Sequence, residues 1–217
     1  MKKIVVLGAG GFGREVQWLI ERINKNEASW EISGYIDDGM PKGTVINGYE
    51  VLGGTDILEQ YDEPIYVACA VGSAKIRKKI IEKLSKFDMI RFPNLIDPSV
   101  KMSDLIQLGR GNIICAGTIL TVNIQIEDFC IINLDCTIGH DDVLDSFVTI
   151  YPSVNVSGNV HVGQCSELGT GTQIIQGIKI KEETIIGAGS VVTKDIPSDC
   201  VAVGNPAKVI RKNDIKK

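Results

Sequence analysis

The sequence predicts a small α/β unit with a parallel sheet followed by an all-β solenoid, and three observations carry that reading. From Leu108 to Val192 every sixth residue is Leu, Ile or Val, through Ile114, Leu120, Ile126, Ile132, Ile138, Leu144, Ile150, Val156, Val162, Leu168, Ile174, Ile180 and Ile186: fifteen positions with no slip in phase. Residues 1–95 lack this period and alternate strand and helix signals. A Gly8-x-Gly10-x-x-Gly13 loop joins the first strand to the first helix.

Lys3 to Leu7 reads as a buried strand, turned by Gly8-Ala-Gly-Gly-Phe-Gly13. Val16, Leu19, Ile20 and Ile23 share one face of a helix from Arg14 to Ile23. A second strand, Glu31 to Ile36, ends at Asp37-Asp38-Gly39, and a short helix covers Asp56 to Tyr61. The third strand is Pro64 to Cys69; Gly72-Ser73 opens a helix from about Ala74 to Lys86, and Met89 to Phe92 is a last strand. Such alternation argues for a small parallel sheet. Pro93-Asn94 and Asp97-Pro98 mark a boundary, which divides the chain into units 1–95 and 96–217.

A period of six fits neither the 3.6 of a helix nor the two of a plain strand, and it demands a turn at a fixed place in each unit. Four positions after each aliphatic stand mostly small or β-branched residues, such as Thr118, Cys130, Cys136, Val148, Ser166 and Thr184. A unit that cannot bury its apolar face alone, repeated without interruption, reads as a stacked solenoid. The pattern, seen best in Leu108-Gly109, Ile138-Gly139, Val162-Gly163, Leu168-Gly169 and Ile186-Gly187, resembles the hexapeptide repeat of left-handed parallel β-helix acyltransferases. The resemblance implies triangular coils of about 18 residues stacked at about 4.8 Å, so that fifteen hexads make about five coils. The unbroken phase argues against a right-handed β-helix or a sandwich. After Val192 the pattern stops at Pro197, and Val203-Gly-Asn-Pro-Ala-Lys208 leads to a basic tail.

Composition bounds the function classes. A chain of 217 residues with 44% hydrophobic residues can bury a sizeable core. The net charge of −4 gives no reason to expect nucleic acid. No run approaches the ~18 apolar residues of a membrane helix, and Ile4 to Leu7 is too short for a signal segment. A cytoplasmic protein without membrane insertion is expected. The six cysteines form no CxxC and read as reduced, buried thiols.

The glycine loop follows a strand and opens a helix, where glycines let a backbone approach a phosphate and helix N–H groups point at it. Asp37 and Asp38 end the next strand, where a ribose-binding acid sits in a Rossmann unit. NAD is one reading. However, a dinucleotide lies across two βαβαβ halves, and here the solenoid begins before a second half could form. A half-Rossmann unit suits a single nucleotide, and a nucleotide-linked sugar fits better. Gly8, Gly10, Gly11, Phe12, Gly13, Asp37, Asp38, Gly72 and Ser73 are the candidate substrate residues. The competing structural reading is that Gly13 merely permits close helix–strand packing.

His140 follows Ile138-Gly139 and precedes Asp141-Asp142. An imidazole beside two carboxylates is a candidate general base, because a carboxylate fixes its tautomer and stabilises the imidazolium. With coils of 18, Gly158 stands directly above His140, leaving room for substrate and offering an N–H to an oxyanion. Asn133-x-x-Cys136-x-Ile138-Gly139-His140-Asp141 resembles the active-site run of the sugar-nucleotide N-acetyltransferase and sialic-acid O-acetyltransferase family. There the histidine is the base and the next residue an acid, often Glu; Asp141 is one methylene shorter, and Asp142 offers a second carboxylate. Gly8–Gly13, Asp37-Asp38, Gly72 with Arg77, the hexads and Gly204-x-Pro206-Ala207-Lys208 follow the family's order over almost the whole chain. Phe12 departs from relatives that carry His there, and Thr149 from those that place a second His near the thioester. His161 does not stack on His140 and reads as a surface residue, and two histidines are too few for a three-His zinc site, so no metal is expected.

The resemblance implies an acetyl-CoA-dependent acetyltransferase acting on the amine of a nucleotide-linked amino sugar by direct transfer. His140 is its base, Asp141 its partner and Gly158 the oxyanion donor. The same analogy implies a homotrimer, with CoA running between solenoids past Gly169, Gly187, Ala188 and Gly189, and Lys208 at a phosphate. Two rivals stand beside it: O-acetylation of a free sugar of the sialic-acid type, and an NAD- or nucleotide-binding protein whose solenoid is only a scaffold.

Overall fold

The computed structural model describes residues 1–213; residues 214–217, the end of the basic tail, lie outside the described residues. The N-terminal part runs β1 (Lys2–Leu7), α1 (Gly11–Asn26), β2 (Trp30–Ile36), β3 (Val45–Ile46), β4 (Tyr49–Gly53), a 3-10 turn (Thr55–Gln60), β5 (Ile65–Cys69), α2 (Ala74–Leu84) and β6 (Ile90–Arg91). These strands form one sheet in the order β3-β4-β2-β1-β5-β6, parallel except for the β3–β4 hairpin. The central strand is buried on both faces, as a parallel sheet requires. Ile4 and Val6 pack with Val16, Leu19 and Ile20 of α1, whereas Val5 and Leu7 pack with Ile81 and Leu84 of α2. The hairpin was not expected. Its two-residue turn is Asn47-Gly48, both at positive φ (49° and 89°), which is the geometry that matches strand twist.

From Leu95 to Val192 the chain forms seventeen strands of two residues each. They stack in three parallel sheets, with each strand up to Gln173–Ile174 paired to the one 18 residues on, as Ile113 to Ile131, Thr137 to Asn155 and Val143 to His161. The section is therefore triangular. The six-residue aliphatics point inward and make one core from Ile114 to Val192. The coil begins two strands earlier than Leu108, and Ile96 and Met102 keep the same phase. From Gly111 to Gly189 each corner turns on a residue in the left-handed region, and these too recur every sixth position: Gly111, Gly117, Asn123, Phe129, Asp135, Asp141, Phe147 and on to Gly189. Gly, Asn and Asp suit that conformation; Phe129 and Phe147 carry strain there that packing must offset. Cys200–Val203 and the antiparallel Lys208–Lys212 extend the first sheet.

The N-terminal sheet sits on one flat face of the prism, the face of Ile113, Ile131, Thr149 and Glu167. Arg77 is the fastener. It is 1% exposed, and it donates to Val71 O and Gly72 O on its own side and to Phe129 O, Phe147 O, Val148 O and Thr149 Oγ1 on the solenoid. Thr149 Oγ1 in turn donates to Gly72 O, and Glu167 accepts the N–H of Ala74 at the start of α2. Arg22 pairs with buried Asp97. All six cysteines are buried and unbridged. No helix among the described residues is long and apolar enough to cross a membrane.

Candidate active site

His140 stands at the corner between the second and third sheets, just after the strand Thr137–Ile138. Its side chain is 51% exposed, and Nδ1 lies 2.8 Å from Asp141 Oδ2. An ionised carboxylate can only accept, so Nδ1 carries the hydrogen and Nε2 keeps a lone pair. Hydrogen bonds from His140 and from Asn123 hold the Asp141 carboxyl below its usual range, which keeps it ionised. The residue in the left-handed corner conformation is Asp141, not His140, at φ 61°.

Gly158 is one coil above, as the 18-residue spacing predicts. A Cβ there would collide with Nε2, Cε1 and Cδ2 of His140, and a Cβ on Gly139 would come within 2.5 Å of Gly158 N. Two glycines thus let the imidazole and the Gly158 backbone share one corner. The backbones are tied by Asn159 N–H donating to His140 O at 2.7 Å. Among the described residues the Gly158 N–H meets no acceptor.

Asp142 does not offer a second carboxylate to the imidazole. It is fully buried, with Oδ2 accepting from Gly139 N–H and Oδ1 from Val160 N–H. Burial pushes its carboxyl up to about 7, against those two N–H donors. His161 is exposed on the third face, with Nε2 2.9 Å from Asp145.

The glycine loop has one side that is filled and one that is open. Gly8 (φ 101°) and Gly13 touch other backbone: a Cβ on Gly8 would lie 2.9 Å from Ala70 O, and one on Gly13 would strike Gly8 O. The packing role of Gly13 is therefore real. Gly10 and Gly11 face open space, Gly10 with nothing within 4 Å. Asp37 is built into the loop, accepting from Ala9 N–H and Gly39 N–H, and Asp38 accepts from Thr55 N–H at the start of the 3-10 turn. Phe12 packs into the core between this sheet and the solenoid. Ser73 is the N-cap residue of α2, whose Ala74 N–H is already taken by Glu167.

Gly169, Gly187, Ala188 and Gly189 lie together at the corner between the first and second sheets. A Cβ on Gly169 would lie 2.6 Å from Ala188 N. This corner and that of His140 flank the second face, along Thr137, Asn155, Gln173 and Val191. Lys208 is exposed, opposite Val203. Among the described residues no group of three His, Cys, Asp or Glu side chains is placed to hold a metal. The sequence did not disclose the Arg77 socket or the backbone role of Asp142, because neither leaves a periodic signal.

A triangular parallel β-helix carrying a histidine–carboxylate pair at one corner, with a half-Rossmann unit on the opposite face, defines a hexapeptide-type acyltransferase. Comparison with known proteins specifies the family. Residues 3–84 match the PglD N-terminal domain. The chain is 28% identical over 218 residues to the GDP-perosamine N-acetyltransferase of Escherichia coli O157:H7, covering 96% of each. The acetyltransferase domain of PglB from Neisseria gonorrhoeae FA1090, solved with acetyl coenzyme A, superposes with a TM-score of 0.87 at 32% identity, over 96% of this chain and 99% of that one. PerB from Caulobacter crescentus, solved with CoA and GDP-perosamine, gives a TM-score of 0.89 at 27% identity, over 97% and 98%. The chain belongs to the PglD-like family of hexapeptide sugar acetyltransferases, with a left-handed β-helix, and it is an acetyltransferase.

Proposed function

We propose that this chain transfers the acetyl group of acetyl-CoA to the amino group of a nucleotide-linked amino sugar. The observation that carries the reading is the pair His140–Gly158. A base lone pair and a backbone N–H without an acceptor among the described residues converge on one corner, with Asp141 fixing the tautomer. His140 Nε2 takes the proton of the amine as its nitrogen attacks the thioester carbonyl. The Gly158 N–H stabilises the oxyanion of the tetrahedral intermediate. Collapse breaks the C–S bond, and His140 returns the proton to the departing sulfur. The buried cysteines have no part in it. All six are buried, and burial pushes the Cys136 thiol up to about 11 and that of Cys130 to about 12, which supports direct transfer.

The open side of the glycine loop at Gly10 and Gly11, at the N-terminus of α1, suits the diphosphate of the sugar nucleotide. Gly8 and Gly13 shape that loop and Asp37 holds it, while Gly72 and Ser73, at the start of α2, remain candidates for the same substrate. Units 1–95 and 96–217 divide the work between nucleotide and acetyl group. CoA runs along the second face from Gly169 and Gly187–Gly189 toward His140, with Lys208 at a phosphate. His140 occupies the corner opposite the face covered by its own N-terminal sheet. A neighbouring copy therefore supplies the glycine loop, in a homotrimer located in the cytoplasm. Relatives bound to CoA, acetyl-CoA and GDP-perosamine support the substrate classes.

Release of free thiol from acetyl-CoA, assayed against a panel of nucleotide amino sugars and free sialic acids, tests the reading. Turnover only with hydroxyl acceptors would replace N- by O-transfer. Light scattering showing a monomer at micromolar concentration would remove the shared site.

A further inference from the structure

From Gly109 to Gly187 the first residue after each two-residue strand, Gly139 apart, donates its N–H to the coil above. Gly109 donates to Ile126 O, Cys115 to Ile132 O, Thr121 to Ile138 O, Glu127 to Leu144 O, Asn133 to Ile150 O, Asp145 to Val162 O and Tyr151 to Leu168 O. At Gly139, the residue before His140, the equivalent N–H goes instead to Asp142 Oδ2 at 2.9 Å. The other oxygen of Asp142 takes Val160 N–H, 2.8 Å away on the next coil, two residues beyond Gly158. One buried carboxylate thus diverts the backbone at His140 from the regular ladder and ties it to the coil that carries Gly158.

The fold does not need a carboxylate here. The same position holds Thr118, Ile124, Cys136, Val148, Val154 and Val160 in other hexads. Asn112, also there, uses Oδ1 for Cys130 N–H in the same way, while its Nδ2 stays without a partner. A buried carboxylate costs stability, so its presence at the one corner bearing the histidine calls for a functional account.

We propose that Asp142 is a positioning residue that sets the placement of His140 against Gly158. The inference rests on the reading of His140 as the base. The ionised form, with both oxygens accepting, is the form that holds the two strands. Protonation turns one oxygen into a hydroxyl, and one of the two N–H bonds weakens. The charged groups nearest to it are His140 and Asp141 on its own turn. The coils below and above place Ile124 and Val160 at its level, neither of which titrates.

The experiment compares Asp142→Asn, Asp142→Val and His140→Ala in the full-length protein. Asn keeps the Val160 acceptor, and Val copies the side chain of other hexads, so both variants fold. The Tm of Asp142→Asn is expected at or above that of wild type. That of Asp142→Val, which strands the Gly139 and Val160 N–H groups, is expected somewhat below it. Both should show KM for acetyl-CoA within about twofold and kcat down about 10- to 100-fold, the scale of a slightly misplaced reacting group. The acid limb of the wild-type kcat profile becomes less steep in both, because the Asp142 proton no longer contributes. Wild-type kcat in both Asp142 variants, with His140→Ala inactive, overturns this inference alone. A loss of kcat that tracks a loss of Tm also overturns it, since it marks a merely structural role. Near-normal kcat in His140→Ala overturns the reading of the base and this inference with it.

Discussion

Nε2 of His140 occupies the space that a side chain on Gly158 would need, so the histidine and the glycine are fitted to one another across adjacent coils. Gly158→Ala forces the imidazole aside while changing little of the solenoid. We expect a folded protein with kcat reduced at least about tenfold, by displacement of a positioned base. Circular dichroism and steady-state kinetics on the same sample check it.

His140→Ala removes a half-exposed side chain and should leave the fold intact. The kcat is expected to fall by about 10²–10⁴. Raising the pH should partly restore it if the acceptor is an amine, since more of the amine is then already deprotonated; a hydroxyl acceptor gains far less. Asp141→Asn keeps the shape but loses the charge that favours the imidazolium, so its kcat loss should be smaller.

The glycine loop separates binding from folding. Gly10 faces open space, so Gly10→Val should fold normally and raise KM for the nucleotide sugar about tenfold or more, with acetyl-CoA binding unchanged. Gly13→Ala, whose Cβ would strike Gly8 O, should instead lower Tm before any effect on KM can be measured. Calorimetry with each ligand distinguishes the two, and tight NAD binding with none by nucleotide sugars would refute the assignment.

Arg77→Lys tests the joint between the two parts. An ammonium cannot reproduce the planar fork that reaches carbonyls on both sides. Several buried acceptors lose their donors, at about 1–3 kcal/mol each. A drop of several degrees in Tm is expected, with KM values nearly unchanged in the molecules that remain folded.

The pH dependence of stability has a definite sign at Asp142. Its carboxyl releases its proton near 3.8 when exposed but is pushed up to about 7 by burial in the folded chain. Between those values the folded state holds more protons, so this group's contribution to stability falls as pH rises and levels off above about 7. The Tm difference between Asp142→Asn and wild type should therefore widen in favour of the variant from pH 5 to pH 7. A difference independent of pH would contradict it.

The solenoid was legible because its period comes from geometry that every coil repeats: an aliphatic inward, a corner three residues later, a partner at 18. The same phase ran on to Met102 and Ile96, where the boundary prolines and polar neighbours obscured it. The Asn47-Gly48 hairpin carried its own signal in two residues but joins strands too short to show alternation. The placing of His140 beside Asp141 and under Gly158 followed from adjacency and from the 18-residue coil that the family resemblance implies. Two features escaped: Asp142 turns inward rather than toward the imidazole, and Arg77 binds carbonyls, which any sequence supplies.

The Arg77 socket bears on how such proteins can be recombined. Its acceptors on the solenoid are main-chain oxygens of Phe129 and Phe147 at two stacked corners, together with Thr149. A designer exchanging the nucleotide-recognising module for another must therefore preserve corner shape as well as surface chemistry. A graft that keeps an arginine at the matching turn of its second helix can plug into the host, whereas one that brings an apolar residue leaves the socket's oxygens stranded. Compatibility between modules is decided by one guanidinium and the backbone it reads.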